Sequence, residues 1–297
     1  MKRRNFLRNA SLSAFAVSTT GFIRFDGHKY VGDCQTTTDI LGPFYRPNAP
    51  VRDDLVVAEM EGEIVKLAGR ILHDDCSTPI ENAKVELWHC SADEVYDNES
   101  EAYLYRGTTF SNHQGDYHFR TQMPVPYDAG GGMYRPAHFH LMISAPGYQN
   151  LITQLYFDGD PYLEKDASSR VTSAKSRILT IDHSPSGEPL VPFNVIMQKE
   201  LAADPIMLHR LAGSYAPKEG DGRDFELFVH EEQLWLKNEL FGQLLLYRGD
   251  NTFAPSAGGE WTRARLKFEL LADGKVNLDF ILTDKEGKET IHKAMKA

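Results

Sequence analysis

Downstream of residue 62, short stretches of alternating apolar and polar residues are set apart by Gly, Pro, Asn and Asp. EIVKLAGRILHD, KVELWHC, GDYHFRTQ, HFHLMISA, LITQLYFDG, SRILTIDH and PFNVIMQ each carry the two-residue period of a strand. Only DPYLEKDASSR has the look of a short helix. The pattern predicts an all-β fold, an antiparallel β-sandwich. LAADPIMLHR reads as a junction. Beyond it, LAGSYAPKEG, DFELFVHEEQLWLKN, FGQLLLYRG, NTFAP, RARLKFELLADGK and VNLDFILTD are again short strands, now without clustered His or Cys. The expected division is a sandwich over 27–204 and a small all-β C-terminal domain over 205–297 that serves as a stabilising or partner-binding appendage.

The first residues follow a different logic. MKRRNFLRNASLSAFAVSTTGF opens basic and continues weakly apolar with small residues, the architecture of an export signal. Arg3 and Arg4 followed by Asn5, Phe6 and Leu7 resemble a twin-arginine signal. Residues 1–26 are therefore expected to be a signal and linker, and the remainder to be periplasmic or extracellular. The chain has three cysteines. In an oxidising compartment Cys76 and Cys90, which flank KVELWH, could pair and leave Cys34 odd; three free thiols is the other arrangement the sequence allows.

The chain's 297 residues suffice for one large or two ordinary domains, and 41% hydrophobic with 25% charged residues is the composition of a folded chain. A net charge of -10 argues against nucleic acid as a partner. No stretch after the signal is long and apolar enough to span a membrane. No G-x-S-x-G, phosphate-binding loop or H-E-x-x-H is present.

Candidate chemistry centres on YRPAHFHLMI, where His138 and His140 alternate with apolar residues. In a strand they point to the same side. That makes them either polar residues on a wet face or a pair of metal ligands, and two histidines alone do not decide. Tyr127 lies in a Pro-rich turn, and the triple glycine at 130–132 lets the chain fold it back toward the histidines. Tyr96 lies just past the strand ending at Trp88. For any one tyrosine the plain reading is a packed aromatic.

Several motifs occur together and in order: GPFY (Gly42–Tyr45), P-I-x-x-A-x-V-E-L-W (Pro79–Trp88), a tyrosine eight residues later, G-x-Y-x-F-R-T (Gly115–Thr121), P-x-P-Y ending at Tyr127, R-P-A-H-x-H (Arg135–His140) and Q-x-Y-F (Gln154–Phe157). Over residues 35–200 the chain resembles the intradiol ring-cleavage dioxygenases. The resemblance implies one non-haem ferric ion per catalytic domain, held by Tyr96, Tyr127, His138 and His140, with Tyr127 and His140 axial. Hard anionic phenolates suit Fe(III), and two phenolates with one hydroxide cancel its three charges in a buried site. It further implies a catechol-type substrate and O2 as partners, displacement of Tyr127 by substrate, and a cis,cis-muconate product. Arg135 would stabilise charge developing on the ring and Gln154 would line the pocket; Tyr45 and Tyr134 are candidates for the rest of the lining. His89 and His118 read as structural, and His73, His113 and His183 as solvated.

The chain departs from the cytosolic catechol enzymes in its export signal, its extra C-terminal domain and the lack of a long helical dimerisation region. The oligomeric state stays open, a homo-oligomer included. The rival reading is a non-catalytic, transthyretin-like sandwich that binds a partner; a metal-binding relative without turnover is a third.

Overall fold

A computed structural model describes residues 23–25, 30–32, 34–58, 61–184, 187–218, 223–239, 241–256, 263–284 and 286–297. Apart from 23–25, the expected signal segment lies outside them. The chain is all-β. A short ribbon of β1 (Ile23–Phe25) and β2 (Tyr30–Gly32) precedes two sheets. The first sheet carries the site. Its order is β11 (Ile178–Leu179), β10 (Leu151–Phe157), β9 (His138–Ser144), β4 (Lys84–Trp88) and β5 (Arg106–Phe110). The second runs β12 (Asp182–His183), β13 (Pro189–Pro192), β3 (Ile64–Leu72) and β14 (Val195–Ile196), with β6 (Asp116–Gln122) also paired to β3. The long ladders are antiparallel, but β11 joins β10, and β13 and β14 join β3, in parallel.

Alternation decides which face does what. On β9, Phe139, Leu141 and Ile143 enter the core between the sheets, as do Val85 and Leu87 of β4 and Leu151, Leu155 and Phe157 of β10. The intervening residues face the other way. There Trp88, Met142 and Ile152 join a second apolar cluster with Leu41, Tyr45, Tyr96 and Tyr127. Because both faces of the sheet are covered, β10 is buried at every position.

DPYLEKDASSR is not helical. It is a chain of turns in which Asp160 and Asp166 carboxylates accept backbone N–H groups from Tyr162, Ser168 and Ser169. Aspartate side chains compete with the helical ladder in this way. A short 3-10 helix follows over Thr172–Arg177. Among the described residues the α-helix lies instead in the expected junction: α1 (Pro205–Leu211), capped by Asp204, which accepts from Ile206 N, with proline at its start.

After α1 the chain forms a closed antiparallel barrel of β15 (Gly213–Pro217), β16 (Phe225–His230), β17 (Gln233–Lys237), β18 (Gly242–Tyr247), β19 (Thr252–Pro255), β20 (Ala264–Leu270), β21 (Val276–Thr283) and β22 (Glu289–Lys296). Leu211, Tyr215, Leu227, Leu234, Phe253, Leu266 and Phe268 fill it. Trp235, Leu244 and Leu246 point outward into the cluster that contains Trp88 and Tyr45. The disulfide joins Cys34 to Cys76, and Cys90 is the free, buried thiol. Neither arrangement left open by the sequence, a Cys76–Cys90 pair or three free thiols, is formed. Cys90 lies two residues past the end of β4, in the apolar cluster on the covered face, where its thiol faces Val125 O at 3.4 Å.

Candidate active site

Strand register assembles the first part of the site. Trp88, His140 and Gln154 lie side by side across β4, β9 and β10, and Tyr156 pairs with His138. Directly opposed residues of antiparallel strands share a face. His138 and His140 are both buried, so neither lies on a wet surface.

Two connections bring the tyrosines to this face. β7 (Tyr127–Asp128) and β8 (Tyr134–Arg135) form a hairpin in which Tyr127 pairs with Arg135. Its turn runs through Gly130, Gly131 and Gly132, all at positive φ, where a side chain would be strained. Tyr96 comes from the loop after β4. The buried Arg106 guanidinium ties this loop down, donating to Asp97 O at 2.8 Å and to Phe44 O at 2.6 Å. Phe44 stacks on the Tyr96 ring, 4.2 Å between centroids.

The donor atoms converge. His138 Nε2 and His140 Nε2 are 3.1 Å apart, and Tyr96 Oη lies 3.2 Å from the second and 3.4 Å from the first. The Tyr127 hydroxyl faces that of Tyr96. His138 Nδ1 donates to Pro136 O at 2.6 Å, which leaves the Nε2 lone pair pointing into the cluster. A cation about 2 Å from imidazole nitrogen reaches all three of these atoms, so the set fits a metal ion. Among the described residues no group of three or more His, Cys, Asp or Glu does the same. Burial pushes His138 down to about 3, with Arg135 adding to it, and His140 well below its ordinary value. Both imidazoles are thus neutral donors. Burial and mutual repulsion hold the Tyr96 phenol protonated, and burial does the same for Tyr127, opposed by Arg135. Only a strong positive charge would ionise them here.

Arg135 heads a second network. Its Nε donates to Asp166 Oδ2 at 3.0 Å, and Nη2 donates to Gln154 Oε1 at 2.9 Å. Gln154 Nε2 donates to Ile40 O at 2.7 Å. The Tyr156 hydroxyl lies 2.9 Å from Asp39 Oδ2, and Arg177 closes the chain on Asp39.

A family model described as Dioxygenase matches residues 40–198. That span carries every residue of both networks except Asp39. The chain belongs to the intradiol ring-cleavage dioxygenase family. It is 35% identical over 187 residues to a chlorocatechol 1,2-dioxygenase of Rhodococcus opacus, covering 55% of this chain and 72% of the relative. It is 30% identical over 181 residues to one from Cupriavidus pinatubonensis, covering 55% and 69%. Among solved structures it resembles the hydroxyquinol 1,2-dioxygenase of Pseudomonas putida DLL-E4, with TM-score 0.51 and 26% identity over 56% of this chain and 68% of that one. The family is one of oxidoreductases, and the transthyretin-like alternative is not favoured.

In this dioxygenase the structure brings Tyr96, Tyr127, His138, His140, Arg135 and Gln154 together. It does not place Tyr45 or Tyr134 among them. Tyr45 is buried against Trp88 and Phe241 of the barrel region. Tyr134 is 40% exposed and stacks on Tyr162. Phe44, the neighbour of Tyr45, is the ring that flanks Tyr96 and Tyr127. Asp166, Asp39 and Arg106 had no signal in the sequence, since each acts through partners far along the chain; Tyr156 stood in the Q-x-Y-F run but carried no assigned role. His89 is structural, with ring nitrogens 2.7 Å from Cys90 O and 2.8 Å from Thr121 Oγ1. His73 is not simply solvated; it bonds the Tyr148 hydroxyl.

Proposed function

We propose that Tyr96, Tyr127, His138 and His140 hold one ferric ion, and that the chain uses it to cleave a catechol-type ring with O2. The observation that carries this reading is the convergence of two imidazole Nε2 atoms and the Tyr96 oxygen within 3.4 Å of one another, beside Tyr127 and Arg135. Ferric iron, when bound, supplies a Lewis acid that draws electron density from the substrate's two oxygens and prepares a ring carbon for O2. The residues do the rest. Tyr127, as phenolate, takes up one of the catechol protons. Arg135, fixed by Asp166, holds positive charge beside Tyr127, where substrate charge develops. Gln154 is pinned at both ends of its amide, so it offers a rigid wall. Phe44, Trp88 and the Tyr96 ring exclude water. The bond between the two hydroxylated carbons breaks, both atoms of O2 enter the product, and a cis,cis-muconate leaves.

Export by the twin-arginine route belongs to the same reading. The Cys34–Cys76 disulfide supports it, because such bonds persist in oxidising compartments. Fractionation of cells making the wild type and an Arg3→Lys/Arg4→Lys variant tests this part; equal cytosolic retention of both would refute it.

The central test uses purified protein loaded with iron. Expected are a visible phenolate-to-iron band that moves on adding catechols, O2 uptake, and one muconate per O2. A folded protein that binds no iron would overturn the reading.

A further inference from the structure

His140 is held differently from His138. His138 has the Pro136 carbonyl at its Nδ1, whereas His140 Nδ1 is buried without a hydrogen-bond partner. A metal-binding imidazole is ordinarily oriented by a hydrogen bond at its second nitrogen. For His140 the orientation comes from packing. One face stacks on Trp88, 4.9 Å between centroids and 11° from parallel. The chain at Gly42 also presses against this ring: a Cβ there would stand 2.8 Å from His140 Cε1.

Trp88 is itself held by contact. Its indole Nε1 is buried and unpartnered. Tyr45 packs against it at 5.1 Å, and the Tyr45 hydroxyl makes only a long contact, 3.4 Å, to Glu86. The outer side of Tyr45 meets Phe241, 5.0 Å away and 76° from parallel. Phe241 lies between β17 and β18 and wedges among Phe228, His230 and Trp235 as well. An unbroken column of rings therefore runs from the barrel through Phe241, Tyr45 and Trp88 to His140.

We propose that Phe241 is a positioning residue for the reaction: through Tyr45 and Trp88 the barrel sets the ring of His140 and forms part of the site's outer wall. The proposal rests on His140 being a ligand. Close-packed interiors transmit displacement; among the described residues Trp88 Nε1 and His140 Nδ1 have no hydrogen-bond partner, and His140 is otherwise held only at Nε2, inside the donor cluster. Removing Phe241 leaves a void that Tyr45 and Trp88 relax into, and His140 loses its flat support.

The test compares the full chain with Phe241→Ala, Phe241→Leu and Phe268→Ala, the last a deletion inside the barrel against Tyr215 and Phe253. Imidazole nitrogen–proton spectra are recorded first on metal-free protein. Phe241→Ala is expected to shift the His140 signals, through the changed Trp88 ring current, and to leave His138 nearly in place; Phe268→Ala moves neither. With iron bound, Phe241→Ala should move the visible band and lower kcat about 10-fold, the lower end of what outer partners of a metal ligand contribute, with KM changed less. Phe268→Ala should lower Tm alone. If Phe241→Ala does not fold, Phe241→Leu, which keeps the bulk without the flat edge, gives the same reading. Unmoved His140 signals, or losses in the Phe241 variants that match those of Phe268→Ala, overturn the proposal. A wild type that binds no iron sinks the dioxygenase reading but not the metal-free ring result, so the two failures are distinguishable.

Discussion

Arg135 is held by Asp166 across 31 residues of sequence, Nε to Oδ2 at 3.0 Å, with both side chains largely buried. Asp166 stays ionised despite burial because Arg135 and the backbone N–H groups of Ser168 and Ser169 stabilise its charge. Asp166→Asn keeps the shape and removes the charge. A hydrogen bond to a charged group contributes roughly 1.5–3 kcal/mol, so kcat should fall about 10- to 100-fold while iron binding is retained. Steady-state kinetics with metal analysis on the same sample checks this; a fall in iron content equal to the fall in rate would place Asp166 in metal retention instead.

The four candidate ligands should separate by donor type. His140→Ala is expected to abolish tight iron binding. Tyr127→Phe should keep some iron but lose most of the visible band and at least about 100-fold in kcat/KM, near 2.7 kcal/mol of transition-state stabilisation. Equilibrium dialysis and the absorption spectrum report the two effects separately.

Gly42→Ala should damage the site without touching a donor atom. Its φ of +77° disfavours a side chain, and the new methyl would stand 2.8 Å from His140 Cε1. Weaker iron binding with a small change in Tm is the expected result. An unaltered visible band would show that the segment yields freely.

Acid should destabilise the metal-free chain through its buried histidines. Burial, with Arg106 adding, lowers His89 from 6.5 to about 4. Between those values the unfolded chain binds more protons than the folded one, so stability rises with pH across the window. It is fully present above about 6.5 and is lost as pH falls toward 4. The shift corresponds to roughly 3 kcal/mol, and His138 and His140 act in the same sense. Denaturant midpoints from about pH 7 to 4.5 should fall steeply in the wild type and less steeply in His89→Gln.

Cys34 and Cys76 are 42 residues apart in sequence. Closing a loop of that length restricts the unfolded chain by about 4 kcal/mol in the entropic model. Cys34→Ser, or reduction under native conditions, should cost most of that in denaturant unfolding. Cys90→Ser should not mimic it.

How much of this could be read beforehand follows from the range of each interaction. Most long strands were legible because alternation is local, and so was the shared face of His138 and His140; β22 was missed, since ETIHKAMK is exposed at nearly every position and shows no apolar alternation. β5 was missed: RGTTF is mostly buried yet carries few large apolar residues. The turns over 160–170 were mistaken for a helix because Asp160 and Asp166 take up backbone N–H groups that a helix would use. The partner of Cys76, which the sequence left open, and the placing of Phe44 rather than Tyr45 against the Tyr96 ring share one cause. Each depends on segments meeting across the fold, and no periodicity encodes which neighbour of a motif faces the site.

The barrel closes by pairing β15 with β22, a strand that ends at Lys296. During synthesis, then, the sandwich residues are complete long before the barrel can shut, and β15 waits as an open edge until the final strand arrives. A premature stop before β22 would leave two unpaired edges in one molecule, which invites edge-to-edge association.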